Sequence, residues 1–237
     1  MTADTMGGIW DYAVDLIKGL QHYDVDVILL SMGKQLNENQ LKQISRLNNL
    51  HLIETTYKLE WMDTPWEDVA GAGELLLELE NKYKPDLIHL NSYSHGALEF
   101  NTPIIIAGHS CVYSWTWAVH HRNPEKHWQK YYNNVCRGIH SADMVIAPSL
   151  AMLNNLKLIY GDFDNYRVIP NGSNVIPFNR SKEKFVFSAG RIWDEAKNMR
   201  ILHKASESIS WPVVIAGENK KPDGGKAKFT GVHLAGL

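Results

Sequence analysis

Short apolar runs, each about the length of one buried strand, recur along the chain and constrain its fold more than any other feature. Turn residues or polar segments bound these runs, and stretches with the apolar spacing of a helix separate many of them. Strands that are apolar at nearly every position lie in parallel sheets covered by helices on both faces. The sequence therefore predicts an α/β fold with parallel sheets. The clearest runs are Val25–Leu30, Ile104–Ala107, Phe185–Ala189 and Trp211–Gly217.

Length and composition narrow the class of protein. The 237 residues, 44% of them hydrophobic, can bury one substantial core or two small ones. A formal net charge of -2 gives no basic excess, so we expect neither a nucleic-acid partner nor binding to an anionic membrane surface. No apolar run approaches the roughly 20 residues of a membrane span, and the start lacks the pattern of a leader. Cys111 and Cys136 lack metal-type spacing and indicate a reduced, cytoplasmic protein.

The stretch Phe185–Leu202 has the order strand, turn, helix and suits an anion. Gly190 lets the backbone approach a ligand, and the helix that follows directs free N–H groups toward it. Arg191 and Lys197 add two mobile positive charges near the same place. A diphosphate fits this combination, although two such cations can also be solvated charges on an ordinary βα loop.

The pairs Gly190-Arg191 and Lys197-Asn198 resemble the phosphate-binding segment of family 4 glycosyltransferases, which have the GT-B fold. The resemblance implies two Rossmann-like domains with parallel sheets and a nucleotide diphosphate sugar as donor. It also implies that Arg191 and Lys197 hold the donor diphosphate, and that the sugar keeps its anomeric configuration. No metal or other cofactor is expected from this family. The phrases PDLIHL, ADMVIAPS and IPNG also resemble the family.

Gly7 and Gly8 follow a short apolar strand and precede a helix predicted from about Ile9 to Leu20. A paired glycine alone is commonly just a turn. The resemblance identifies the pair with a Gly-Gly loop whose amides approach the donor diphosphate. The strand ahead of the pair is shorter than in the family, so we expect the chain to be short at its N-terminus.

His109 lies just past the apolar run Ile104–Ala107. In an open parallel sheet the ligand crevice lies beyond the carboxyl ends of the strands, so this histidine is expected to face the crevice. A lone histidine is often structural instead. The resemblance assigns His109 the catalytic position near the transferred sugar.

The stretch Cys111–Lys130 is rich in tryptophan and histidine but has no metal-ligand pattern. Trp115, Trp117 and His120 could stack on and hydrogen-bond a sugar, which makes them candidate acceptor-side residues. Packing beneath a loop is an equal alternative for the same side chains.

Pro177 lies in a polar stretch that we expect to separate two domains. Residues 1–177 would form the N-terminal, acceptor-side domain, and residues 178–237 part of the nucleotide-sugar-binding domain. The second domain in the family is longer and carries two glutamates without counterpart here, so we expect a C-terminal truncation. With few helices to cover three strands, this domain should have an exposed sheet edge, which a partner chain could complete.

The sequence thus predicts a retaining glycosyltransferase, or a piece of one, that moves a sugar to an unidentified saccharide, lipid or small-molecule acceptor. One alternative is an inactive nucleotide-binding module or a subunit completed by another chain. Another is a GT-B epimerase, for which no convincing pair of acid and base carboxylates is found. A gene fragment without function of its own is the third.

Overall fold

A computed structural model describes residues 1–172, 181–220, 225–227 and 229–236, which divide into two compact units. The first unit contains the described residues up to 172 except Ala118–His121. The second contains Ala118–His121 and the described residues from 181 onward. The domain boundary predicted between residues 177 and 178 lies outside the described residues.

The first unit contains two parallel sheets. In the first, the strand order is β1-β2-β3, with β1 (Thr2–Asp4), β2 (Val27–Met32) and β3 (Leu50–Glu54). In the second, the order is β4-β5-β6-β7, with β4 (Ile88–Leu90), β5 (Ile104–Ala107), β6 (Met144–Ala147) and β7 (Tyr166–Val168). These parallel sheets confirm the predicted α/β class.

Helices connect these strands and cover the sheets. They are α1 (Gly8–Leu20), α2 (Glu38–Ile44), α3 (Trp66–Tyr83), α4 (Val112–His120), α5 (Gln129–Ser141) and α6 (Leu150–Tyr160). The Ser149 side chain accepts a hydrogen bond from the Met152 N–H and caps α6. Among the helices that the structure describes, none is both long enough and apolar enough to cross a membrane.

Two helices have sequences that indicate them poorly. Helix α3 begins at Trp66, well ahead of the glycines at positions 71 and 73. Gly71 and Gly73 lower the helix propensity of this segment, but burial of Ala72 stabilises the helix and its two acidic residues in the first turn favour the N-terminus. Helix α4 was not predicted, because its apolar residues do not keep to one face.

A side chain, rather than a ladder of backbone hydrogen bonds, joins the two sheets of the first unit. Strand β1 lies beside β4, and Asn91 directly follows β4. The backbone N–H of Asn91 donates to Thr2 Oγ1 at 2.9 Å, and its Nδ2 donates to the Thr2 carbonyl at 2.6 Å. Thr2 is fully buried, so this joint is shielded from water.

Helix α5 packs closely on the 3₁₀ turn Ser94–Ala97 through Gly138. A Cβ atom added at Gly138 would overlap the carbonyl oxygen of Tyr93. Glycine is therefore required here by space, since the two backbones are in contact.

The second unit is a smaller parallel sheet with the order β10-β9-β8. Its elements are β8 (Val186–Ala189), α7 (Met199–Ser206), β9 (Val213–Ala216) and β10 (His233–Gly236). Four buried apolar side chains form the described core of this unit: Ile192, Met199, Val213 and Ile215. Phe187 and Ile201 remain 58% and 60% exposed. The core in the described part of this unit is therefore small.

Candidate functional site

A cavity of about 1100 Å³ lies within the first unit. Its lining comes from α1, β2, α3 and β4, together with residues at or beyond the carboxyl ends of β5, β6 and β7. His109 and Pro148 lie past the carboxyl ends of strands, where ligands bind in parallel sheets, whereas residues 25–27 and 84–87 line the cavity from the amino ends of β2 and β4. Most of the lining is apolar, and its polar groups include Tyr12, His89 and His109.

His109 lies two residues past β5 and lines this cavity, as the sequence predicted. Its Nε2 is 2.8 Å from Asn91 Oδ1. The Tyr12 ring contacts the imidazole edge-on, with 4.5 Å between ring centroids. The side chain is partly buried, so it is held in place while one side still faces the cavity.

His89 lies in β4 and joins the same group of side chains. Tyr12 Oη is 3.4 Å from His89 Nε2, and the two ring centroids are 5.9 Å apart. We call Tyr12, His89 and His109 the imidazole cluster.

Both imidazoles of the cluster are neutral near pH 7. Burial lowers the pKa of His109 to about 4. Burial also lowers the pKa of His89 to about 4, helped by the positive charges of the Met1 ammonium and of His109, while Asn91 acts in the opposite direction. Burial raises the pKa of Tyr12, which keeps its hydroxyl protonated. The imidazole cluster therefore offers hydrogen bonds to a ligand rather than positive charge.

The free energy of unfolding is expected to fall as the pH drops from about 6.5 to about 4. An unfolded imidazole has a pKa of 6.5, whereas each buried one has a pKa of about 4, so the unfolded chain binds more protons in this window. The difference corresponds to about 3 kcal/mol for each histidine. Urea unfolding measured at several pH values tests this. Burial also lowers the pKa of His95, so the His89→Gln variant should lose part of the pH dependence and keep the rest.

The exposed His22 provides the matched control for this measurement. The His22→Gln variant should keep the pH profile of the unchanged chain. Identical profiles for His89→Gln and the unchanged chain would show that burial of His89 does not disfavour its protonation.

The predicted phosphate loop lies in the second unit, where β8 ends. Gly190 has a φ of +152°, and its N–H donates to the Ala216 carbonyl of β9. A Cβ added at Gly190 would lie 3.4 Å from Cγ and Cδ of Lys197, so the lysine stem rests on the glycine. The structure thus brings Gly190 and Lys197 together, with Arg191 next in the chain.

Arg191 is exposed and already has an anionic partner. Its Nη2 is 2.8 Å from Asp194 Oδ2, and its guanidinium lies over the Trp193 ring at 5.3 Å from the centroid. The other oxygen of Asp194 accepts from the Ala196 N–H and caps the 3₁₀ turn Glu195–Lys197. Asp194 therefore orders both the loop and its arginine.

Gly7 and Gly8 lie at the start of α1, as predicted. Gly7 is the N-cap residue, and Gly8 is the first residue of the helix. A Cβ added at either position would meet no atom within 4 Å. The backbone here is open, which leaves room for a ligand to approach the free N–H groups of the helix.

The candidate acceptor-side residues Trp115, Trp117 and His120 all lie on α4. Trp115 and Trp117 are 43% and 59% exposed. Residues two apart on a helix do not face the same side. The two tryptophans therefore do not form a single stacking surface, and nothing in their geometry distinguishes a sugar-binding role.

Sequence reasoning missed Asn91, Tyr12, His89 and Asp194. Asn91 directly follows β4, just as His109 closely follows the neighbouring β5. Polar residues past adjacent parallel strands meet at one edge of the sheet, and this signal could have identified Asn91. The spacing of Arg191 and Asp194, three residues apart, could have suggested their ion pair.

One family model and several solved structures resemble this chain. The family model described as Glycosyltransferase Family 4 matches residues 6–175. No curated protein matches the chain.

Several solved structures share the fold. Sucrose-phosphate synthase from Thermosynechococcus elongatus is 16% identical with a TM-score of 0.68, and the match covers 94% of this chain and 60% of that one. MurG from Acinetobacter baumannii is 13% identical with a TM-score of 0.53, over 94% of this chain and 60% of that one. LpCGTa, solved in complex with UDP, is 14% identical with a TM-score of 0.56, over 91% of this chain and 64% of that one.

The chain therefore spans about 60% of the length of the first two of these proteins. At such low identity they establish the GT-B type of fold and nothing finer. The family model covers well over half of the chain, from the glycines at the start of α1 to beyond β7. The chain belongs to glycosyltransferase family 4.

Proposed function

We propose that this protein transfers a sugar from a nucleotide diphosphate sugar to an acceptor hydroxyl with retention of configuration. Arg191 and Lys197 would hold the donor diphosphate, with Gly7 and Gly8 assisting. His109 would contact the sugar. Trp115, Trp117 and His120 are proposed to lie on the acceptor side. The free cysteines Cys111 and Cys136 support a cytoplasmic location.

The arrangement of Gly190, Arg191 and Lys197 at the end of β8 carries this proposal. The lysine stem rests on a glycine that leaves the backbone open, and the neighbouring guanidinium is exposed. The ion pair with Asp194 keeps the guanidinium beside the loop, where the oxygens of a diphosphate would compete with the carboxylate for it. A diphosphate presents several such oxygens to the two cations at once.

The proposed roles of the site residues follow from where negative charge develops during sugar transfer. The bond between the anomeric carbon and the diphosphate oxygen breaks, a bond to the acceptor oxygen forms, and the acceptor hydroxyl passes its proton to the leaving diphosphate. Negative charge accumulates on the leaving diphosphate, where Arg191 and Lys197 would stabilise it. The neutral imidazole of His109 would hydrogen-bond a sugar hydroxyl and orient the anomeric carbon.

The second candidate function is a nucleotide-binding module that does not catalyse transfer alone, or a subunit completed by another chain. The small core and the exposed Phe187 of the second unit favour this alternative. It shares the diphosphate site with the first proposal but does not require turnover.

Calorimetry with UDP and GDP, followed by assays with radiolabelled UDP- and GDP-sugars, tests the two functions. Binding together with release of the sugar to water or to added acceptors supports the transferase. Binding without any turnover supports the module. Absence of both binding and turnover contradicts both.

A further inference from the structure

The side chain of Asn91 has only one orientation that satisfies its hydrogen bonds. Its Nδ2 lies 2.6 Å from the carbonyl oxygen of Thr2, which can only accept. The amide nitrogen must therefore face Thr2, and the amide oxygen Oδ1 faces His109. Because Thr2 is fully buried in β1, this orientation is fixed by the strand.

The orientation of Asn91 determines which nitrogen of His109 carries the proton. Asn91 Oδ1 is an acceptor and lies 2.8 Å from His109 Nε2, so Nε2 must donate. Burial lowers the pKa of His109 to about 4, and its ring therefore carries a single proton at neutral pH. That proton is on Nε2, and Nδ1 keeps a free lone pair.

Nδ1 of His109 is available to a ligand. It has no hydrogen-bond partner in the described part of the chain and is not one of the buried unpaired nitrogen and oxygen atoms. His109 lines the cavity of the first unit, and the edge of the Tyr12 ring restricts its rotation. The lone pair is thus held in a defined direction.

From this chain of contacts we infer that Asn91 is a positioning residue that fixes the Nε2-protonated tautomer of His109, so that Nδ1 accepts a hydrogen bond from a substrate hydroxyl. The inference rests on the proposed sugar transfer for the identity of the hydroxyl. The Thr2 carbonyl fixes the orientation of the Asn91 amide. The amide oxygen of Asn91 then fixes the proton of His109 on Nε2, and Nδ1 is left to accept a hydrogen bond. A neutral histidine oriented by a second side chain is a common means of holding one tautomer.

The first test needs no variant. In a nitrogen-15 correlation spectrum of the labelled protein at pH 7.5, His109 should show a pyrrole-type shift at Nε2 and a pyridine-type shift at Nδ1. The His109→Gln variant identifies the signal by its loss. A pyridine-type shift at Nε2, or intermediate shifts at both nitrogens, would overturn the inference.

Variants of Asn91 test whether this residue fixes the tautomer of His109. In Asn91→Ala both nitrogen shifts should become intermediate, because nothing selects a tautomer. In Asn91→Asp the added anion should raise the pKa of His109 and protonate both nitrogens. Ser92→Ala is the matched control, since Ser92 hydrogen-bonds His95 rather than His109, and it should leave the His109 shifts unchanged. Unchanged shifts in both Asn91 variants would contradict the assignment.

Activity then separates this inference from the proposed function. Loss of Asn91 should lower kcat/KM for sugar transfer by roughly tenfold to a hundredfold, by analogy with residues that orient metal-bound histidines. Full activity in Asn91→Ala, with altered nitrogen shifts, would overturn the positioning role. An unchanged chain with the expected shifts but without transfer would contradict the proposed function and leave the tautomer assignment standing.

Discussion

The Arg191→Ala variant is expected to bind UDP or GDP about tenfold to a hundredfold more weakly than the unchanged chain, because a hydrogen bond to a charged group contributes about 1.5–3 kcal/mol. Turnover should fall further, by roughly a hundredfold to a thousandfold, since the guanidinium acts where charge develops. Lys197→Ala should have an effect of similar size. The double variant should abolish measurable diphosphate binding. Calorimetry with UDP and GDP, together with the transfer assay, gives both values.

The matched control is Lys204→Ala, which removes an exposed cation from the last turn of α7, at the end of the helix away from the phosphate loop. It should leave nucleotide affinity unchanged. Circular dichroism should show that all three single variants keep the fold, because Arg191, Lys197 and Lys204 are exposed. Equal affinity in Arg191→Ala and Lys204→Ala would mean that the diphosphate binds elsewhere.

The Gly138→Ala variant is expected to destabilise the first unit by about 3 kcal/mol or more. Its added methyl group would overlap the Tyr93 carbonyl oxygen, and both atoms belong to packed segments that cannot move apart independently. Helix α5 and the adjoining 3₁₀ turn must separate to admit it. Urea unfolding monitored by tryptophan fluorescence measures the change in the free energy of unfolding.

Gly19→Ala is the matched helical control. Gly19 lies in α1, and a Cβ added there would meet no atom within 4 Å. Alanine favours the helix by close to 1 kcal/mol relative to glycine, so this variant should be slightly more stable than the unchanged chain. If both variants changed stability by the same amount, the close contact at Gly138 would have no energetic consequence.

Most strands could be predicted from the sequence because they form short runs of apolar residues between turns. The run Ile104–Ala107 coincides with β5, and Phe185–Ala189 differs from β8 by one residue. The spacing of apolar residues did not predict helix α4, because its apolar residues do not lie on one face. Helix α4 leaves Trp115 and Trp117 exposed and buries Thr116, so its pattern lacks an apolar face.

The candidate site was only partly predictable, because some of its residues are close in sequence and others are brought together only by the fold. Gly190, Arg191 and Lys197 are neighbours in sequence, and their proximity follows from one turn. The contacts of His109 come instead from α1 and from the end of β4, which are distant in sequence. Such contacts depend on which strands are neighbours and on how they are aligned, and the sequence gives neither.

The joint between Thr2 and Asn91 makes the orientation of His109 depend on how the two sheets of the first unit pack. Asn91 contacts Thr2 of β1 through its amide nitrogen and His109 through its amide oxygen. A core substitution that moves β1 away from β4 is therefore expected to disturb His109 as well as to lower stability. Variants of the first unit should be compared at equal folded fraction, so that a loss of activity is not ascribed to the cavity when its origin is the joint.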